Sequence, residues 1–271
     1  MKKPILITGA SSGIGYELAK VCAAHGHDLI LVARREEPMK ALKAQLESAP
    51  PPVQVLTYRA DLTCAATRQQ LFDWTQTQTQ GKPLYGLINN AGFGDLSEFA
   101  KADWDKIDAM LQLNIVALTH LTRLYLPGLI EQQQGRIMNV ASTAAFLPGT
   151  YMAVYYASKA YVLSFTEALA TELKDTGVTA TTLCPGPTYS EFQDRANLGD
   201  IPWFNDSTLP TAADVATFGY SAMEKGQRTA VHGTPNKVLT FATRLLPRKQ
   251  LANIIGQMQK DGLDTKITSE A

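Results

Sequence analysis

The feature that most restricts this chain is the character of its strands. The runs "PILIT", "DLILVA", "VQVLTY", "LYGLINN", "RIMNVAS" and "VTATTLCP" are short and mostly apolar, with "TAVHG" a seventh. Several show almost no polar alternation, so they offer no face to water and belong in a sheet covered on both sides. Between them lie helical stretches such as "YELAKVCAAHG", "PMKALKAQLES" and "LNIVALTHLTRLYLPGLIEQQ". Strand–helix alternation of this kind specifies an α/β fold, a doubly wound parallel sheet with helices on both faces.

Composition narrows the function classes. The 271 residues carry 25 Lys+Arg against 25 Asp+Glu, which argues against a basic nucleic-acid surface. Cys22, Cys64 and Cys184 are scattered without metal-ligand spacing, and His25, His27, His120 and His232 do not pair with them. The reading is therefore no metal, structural thiols and a reducing, cytoplasmic setting. The apolar run after "MKKP" is too short for a signal peptide, and no window of ~18 apolar residues predicts a transmembrane segment. "SAPPPVQ" reads as a loop, so residues 1–271 are taken as one domain. Irregular, turn-rich sequence at 189–210 suggests a substrate lid. An extension from about 238 contains a helix broken near Pro247 and ends in a polar tail.

"ITGASSGIGYELA" joins the first strand to the first helix. Gly9, Gly13 and Gly15 remove Cβ atoms from the turn and permit positive φ, and the helix beyond starts with free N–H groups suited to a pyrophosphate. The spacing does not match the general dinucleotide fingerprint literally, and a glycine-rich turn without ligand is the plain alternative. At the end of the second strand Ala33 stands where an acid would bind the ribose hydroxyls of NAD, and Arg34 and Arg35 follow. Guanidinium groups there favour a 2′-phosphate, hence NADP(H) over NAD(H); two solvated arginines are the alternative. Asp61, in "ADLT", either accepts from an adenine amino group or caps the next helix.

The ordered set "TGASSGIG" (Thr8–Gly15), "NNAG" (Asn89–Gly92), Asn114 in "LNIVA", Ser142, Tyr155 with Lys159, and "PGPT" (Pro185–Thr188) resembles the short-chain dehydrogenases/reductases over about two-thirds of the chain. The resemblance implies a Rossmann-like sheet of about seven strands and a hydride transfer between nicotinamide and a carbonyl or alcohol. Tyr155 lies four residues before Lys159, as that family's acid/base does, and Tyr156 does not. Ser142 would hold the substrate oxygen beside Tyr155. Lys159 would tune the phenol and grip the ribose, and Asn114 would help hold a relay water. An ammonium ~4 Å away at an effective dielectric of ~20 would lower a phenol of pKa ~10 by up to about three units. Taken alone, the pair also fits a core aromatic beside a snorkelling lysine.

The same resemblance assigns a dinucleotide wall. It comprises Gly9, Ser11, Ser12, Gly13, Ile14 and Gly15; Arg34 and Arg35; Asp61 and Leu62; Asn90, Ala91 and Gly92; and Pro185, Gly186 and Thr188, the last facing the carboxamide. Tyr155 and Lys159 complete it. Phe192, Trp203 and Phe204 suggest an apolar pocket or simply pin the lid. The stripe Val162, Phe165, Leu169 and Leu173 fits either core or the dimer face common in this family, so a homodimer or homotetramer is expected. Two readings remain: an NADP-dependent oxidoreductase acting on a small carbonyl or alcohol, and a non-catalytic NADPH sensor or scaffold. A thioester-linked ketone as substrate is a variant of the first, and no conspicuous basic patch near the lid favours it.

Overall fold

Seven strands form where β-branched and leucine-rich runs occur: β1 (Ile5–Thr8), β2 (Leu29–Ala33), β3 (Val55–Arg59), β4 (Gly86–Asn89), β5 (Gly135–Val140), β6 (Val178–Cys184) and β7 (Thr229–Val231). The computed structural model describes residues 4–189, 191, 192, 196 and 209–269, without side chains at 258 and 261–269. All pairings are parallel, in the order β3-β2-β1-β4-β5-β6-β7. The chain winds outward through β2 and β3, then returns to β4 on the other side of β1. That reversal opens a crevice at the carboxyl ends of β1 and β4, where such sheets bind ligands.

The pleat divides each strand between two cores. Ile5, Ile7, Leu29 and Leu31 face one side, packing with Leu18, Leu42, Val215 and Met223. These come from α1 (Gly13–Ala24), α2 (Glu36–Glu47) and α7 (Ala212–Glu224). Leu6, Ile30 and Val32 face the other, with Leu71, Leu121, Leu129 and Leu169. Those belong to α3 (Ala65–Thr79), α5 (Leu118–Glu131) and α6 (Ala153–Glu172). Val162, Leu169 and Leu173 are buried within the single chain, and Phe165 packs against the same cores.

Helix α4 (Trp104–Leu111) runs through a π-helical turn, Gln112–Ala117, into α5. The continuous run Trp104–Glu131 is long and apolar enough, by length and composition, to cross a membrane. Here its residues Leu118, Leu121, Tyr125 and Leu129 are buried in the protein core. At the C-terminus, α8 (Thr234–Ala242) and α9 (Arg248–Ser269) flank Pro247. The break falls where a missing N–H and fixed φ stop one helix and start the next. Beyond it the helix continues to Ser269.

Candidate active site

The carboxyl ends of β5 and β6 carry the chemistry-bearing residues into the crevice. Ser142 follows β5 in extended backbone and starts a short 3-10 turn, its hydroxyl accepting from Ala144 N–H at 3.1 Å. Helix α6 begins at Ala153, which puts Tyr155 in its first turn and Lys159 one turn later, on the same side. Ser142 lies close enough to the Tyr155 phenol to bear on its ionisation. The Lys159 ammonium donates to Val140 O at 2.9 Å and lies 5.7 Å from the Tyr155 ring centroid. Tyr156 turns elsewhere: its hydroxyl accepts from Gln259 Nε2 at 3.0 Å.

The electrostatics differ from the sequence expectation. Tyr155 and Lys159 are only 8% and 6% exposed. Burial pushes the Tyr155 phenol well above its ordinary pKa, and the nearby Ser142 hydroxyl only partly opposes it. Burial also pushes Lys159 down to about 8. A phenol acidified by its lysine is therefore not what the protein alone contains. Desolvation is the largest influence on both groups, because each charged form loses its water on burial. What results is a phenol that is protonated at neutral pH, beside Ser142.

Asn114 lies in the π turn and is 1% exposed. Its amide donates to Phe93 O at 2.9 Å and to Ser158 Oγ at 3.0 Å, while its oxygen accepts from Phe93 N–H at 3.1 Å. Ser158 in turn donates to Tyr155 O at 2.7 Å. The side chain therefore ties the loop after β4 to the helix that carries Tyr155. Both its amide hydrogens are used, so a relay water would have to rest chiefly on the backbone carbonyl, where a π turn loosens the regular ladder. Gly92 makes this possible, since a Cβ there would lie 2.9 Å from Asn114 Oδ1 and 3.4 Å from Lys159 Nζ.

The first loop is fitted against "NNAG" before any ligand is considered. Gly9 has φ +69°, and a Cβ on it would lie 2.7 Å from Asn90 Nδ2 and 2.9 Å from Ala91 Cα. A Cβ on Gly15 would lie 2.4 Å from both Asn90 Nδ2 and Gly9 O. Thr8 Oγ1 accepts from Asn90 N–H and Ala91 N–H, both at 3.0 Å, and Asn90 Nδ2 donates to Thr8 O at 3.0 Å. Gly13 also has positive φ, +57°. The N-cap Ser12 makes no side-chain cap bond and the first turn of α1 holds no acid, which leaves N–H donors and positive partial charge for a phosphate. Ile14 packs against the core beneath.

Arg34 and Arg35 are both exposed beside this loop. Arg35 Nη2 pairs with Glu191 at 2.7 Å and donates to Ser11 O at 3.4 Å, so it bridges the first loop to the segment beyond β6. Asp61 accepts from Thr63 N–H at 3.0 Å and from Thr63 Oγ1 at 2.8 Å. Burial raises its pKa, but the Thr63 bonds and the Arg34 charge prevail and hold it low. The following helix is capped from Cys64 rather than from Asp61. Leu62 is buried, with its carbonyl accepting from Arg68 at 2.7 Å.

After β6, Pro185 O accepts from Thr143 N–H at 2.8 Å, and Thr188 Oγ1 donates to Gly186 O at 2.9 Å. A Cβ on Gly186 would lie 2.4 Å from Asn236 Nδ2 at the start of α8. A small cavity of about 30 Å³ opens beside Tyr155, lined by Phe99, Ala102, Ile107, Met110, Met152 and Val154, with Asp95 and Ser97. Lys106 pairs with Asp95, and Ser97 donates to its other oxygen at 2.8 Å. Phe192 approaches the Tyr155 ring, with centroids 5.5 Å apart. Trp203 and Phe204, and most of the expected lid, lie outside the described residues. The sequence left the C-terminal segment open between covering the active site, touching a partner subunit and lying against a membrane surface. In the structure Gln259 of α9 reaches Tyr156, and Thr150 donates to Ala252 O at 3.3 Å, so this helix walls the loop that precedes α6.

The geometry can support proton transfer to an oxygen placed between Ser142 and Tyr155, and it can hold a dinucleotide along the glycine loop. Comparison with known proteins agrees. A family model described as short chain dehydrogenase matches residues 3–200. A D-beta-hydroxybutyrate dehydrogenase from Cupriavidus necator is 34% identical over 184 residues, 68% of this chain and 70% of that protein. Among solved structures, a short-chain dehydrogenase from Sphingobium yanoikuyae in complex with NADPH superposes with a TM-score of 0.78 at 28% identity, covering 89% of this chain and 93% of that one. One from Burkholderia phymatum in complex with NAD shares the fold, with a TM-score of 0.77 at 24% identity over 88% and 92% of the two chains.

Proposed function

This chain belongs to the short-chain dehydrogenase/reductase family, and from that premise we propose how its own residues carry out the family's chemistry. It is an oxidoreductase that interconverts a carbonyl and an alcohol with a nicotinamide cofactor. The non-catalytic alternative finds no support among its relatives. The cofactor, when bound, supplies or takes the hydride. Tyr155 gives the proton to the developing alkoxide, Ser142 holds that oxygen, and Lys159 lends a buried positive charge. Lys159 has no carboxylate partner among the described residues, which leaves its remaining donors for ribose hydroxyls. Asn114 sets the relative position of the Phe93 loop and α6. The single observation that carries this reading is the placement of Ser142 beside the Tyr155 phenol with Lys159 one helical turn away.

NADP(H) is the preferred cofactor. Related structures hold either form, so the preference rests on this chain: Ala33 in place of an acid, followed by two exposed arginines beside the glycine loop. Gly9, Ser11, Ser12, Gly13, Ile14 and Gly15 bind the pyrophosphate side; Asp61, Leu62, Asn90, Ala91 and Gly92 line the adenosine and ribose side; and Pro185, Gly186 and Thr188 meet the nicotinamide. The substrate is an uncharged, largely apolar ketone or aldehyde, since apolar side chains dominate the cavity and Asp95 is already paired. The chain works as one domain, with 189–210 as its lid, and assembles as a homodimer or homotetramer.

The test is NADPH oxidation, followed optically, over a panel of ketones and aldehydes graded by bulk, repeated with NADH. Reduction of bulky apolar members with NADPH is expected. Tight NADPH binding without turnover on any member would overturn the catalytic reading.

A further inference from the structure

The C-terminal helices carry a charge asymmetry at odds with the rest of the chain. Between Glu224 and Asp261 there are seven Lys or Arg residues and no Asp or Glu, in a protein whose charges cancel over the whole chain, so that the rest of it is net acidic. The same stretch presents large apolar side chains to solvent. Val238, Phe241 and Leu245 are 64%, 61% and 72% exposed. Their spacing of three and four residues puts them on one side of α8 and the helical turn that continues it, where Thr243 N–H bonds Leu239 O and Leu245 N–H bonds Ala242 O. Leu246 and Ile254 are exposed nearby. Scattered exposed leucines need no explanation, but an apolar stripe set among cations without acids does.

We infer that this stripe, Val238–Phe241–Leu245 with Arg244, Arg248 and Lys249 beside it, docks the enzyme peripherally on an anionic lipid surface. The physical grounds are complementary. Apolar side chains enter the boundary between headgroups and acyl chains, while arginine and lysine stems reach the phosphates. A polynucleotide would use the cations but leave Phe241 and Leu245 in water. The segment also touches the site at two points: Asn236 against Gly186, and Gln259 on Tyr156. Docking there would bring a membrane-dissolved ketone to the mouth of the cavity. The inference does not depend on which carbonyl is reduced.

The experiment is vesicle co-sedimentation of the full chain, with phosphatidylcholine alone and with about one-third phosphatidylserine, at low and high salt. Binding at least about tenfold stronger to the anionic vesicles is expected, weakening with salt. Phe241→Ser with Leu245→Ser, and separately Arg244→Gln with Arg248→Gln and Lys249→Gln, should each cut binding by at least about tenfold. Both should keep turnover on a water-soluble ketone and unchanged solution mass. Absence of anionic-vesicle binding at low salt overturns the inference, as does binding that both variants retain. A serine variant that dissociates an oligomer also overturns it, since a second copy would then cover the stripe. The vesicle and salt comparisons use the unaltered chain; should the double serine variant misfold, Leu245→Asp alone takes its place.

Discussion

The two ends of the dinucleotide crevice are built differently. At the end proposed for the nicotinamide, Tyr155, Lys159 and Asn114 are almost fully buried; Lys159 donates to Val140 O, and Asn114 bonds Phe93 and Ser158. At the adenosine end, Arg34 and Arg35 stand in solvent, one near Asp61 and the other paired with Glu191. Buried groups interact through a low dielectric and cannot move without leaving a neighbour unsatisfied, whereas exposed charges are screened and replaceable. The residues proposed for the chemistry are thus held by packing, while the choice of cofactor is a surface property that one or a few substitutions can change.

The comparison breaks first if a change at the buried end proves mild. Tyr155→Phe should lower kcat by at least about a thousandfold in steady-state assays, with dinucleotide affinity by fluorescence titration changed less than about threefold. Lys159→Met should lower kcat about a hundredfold, yet raise stability at pH 7 by about 2 kcal/mol in chemical denaturation. The sign follows from its folded pKa of about 8 lying below the ordinary 10.5. Between those values the unfolded chain holds more protons, so wild-type stability rises with pH and the variant's advantage fades by about pH 10.5.

At the exposed end, Arg34→Glu should weaken NADPH about thirtyfold and NADH no more than about twofold, measured as KM for each. Equal losses would mean that Arg34 meets no phosphate. Smallest of all, Gln259→Leu removes the bond to Tyr156 and should raise substrate KM only a few-fold, with about 1 kcal/mol lost in stability. A larger effect on kcat than on KM would mean that α9 positions Tyr155 itself.

Much of this was legible in the chain. All seven strands stand where apolar runs without alternation put them, and the glycine turn precedes the first helix as its punctuation requires. Helix α3 was not, because its inward positions include Arg68, Thr75 and Thr79, polar residues that hydrophobicity does not mark; Arg68 and Thr75 are satisfied by backbone carbonyls. Neither was the π turn at Asn114, which leaves no trace in periodicity. The glycines of the first loop were read as room for a ligand; Gly9 and Gly15 are equally room for Asn90. The ionisation of Tyr155 was misjudged because a distance and a dielectric were assigned to the lysine while the desolvation of the phenol was left out.

That ionisation is the point on which the account is most exposed. Tyrosine labelled at Cζ, followed by NMR across pH in wild type and in Tyr155→Phe, isolates one resonance. In the protein without cofactor, that resonance should show no phenolate up to pH 10, in keeping with a phenol whose pKa burial raises. A Tyr155 signal that titrates between pH 7 and 9 under the same conditions would contradict it.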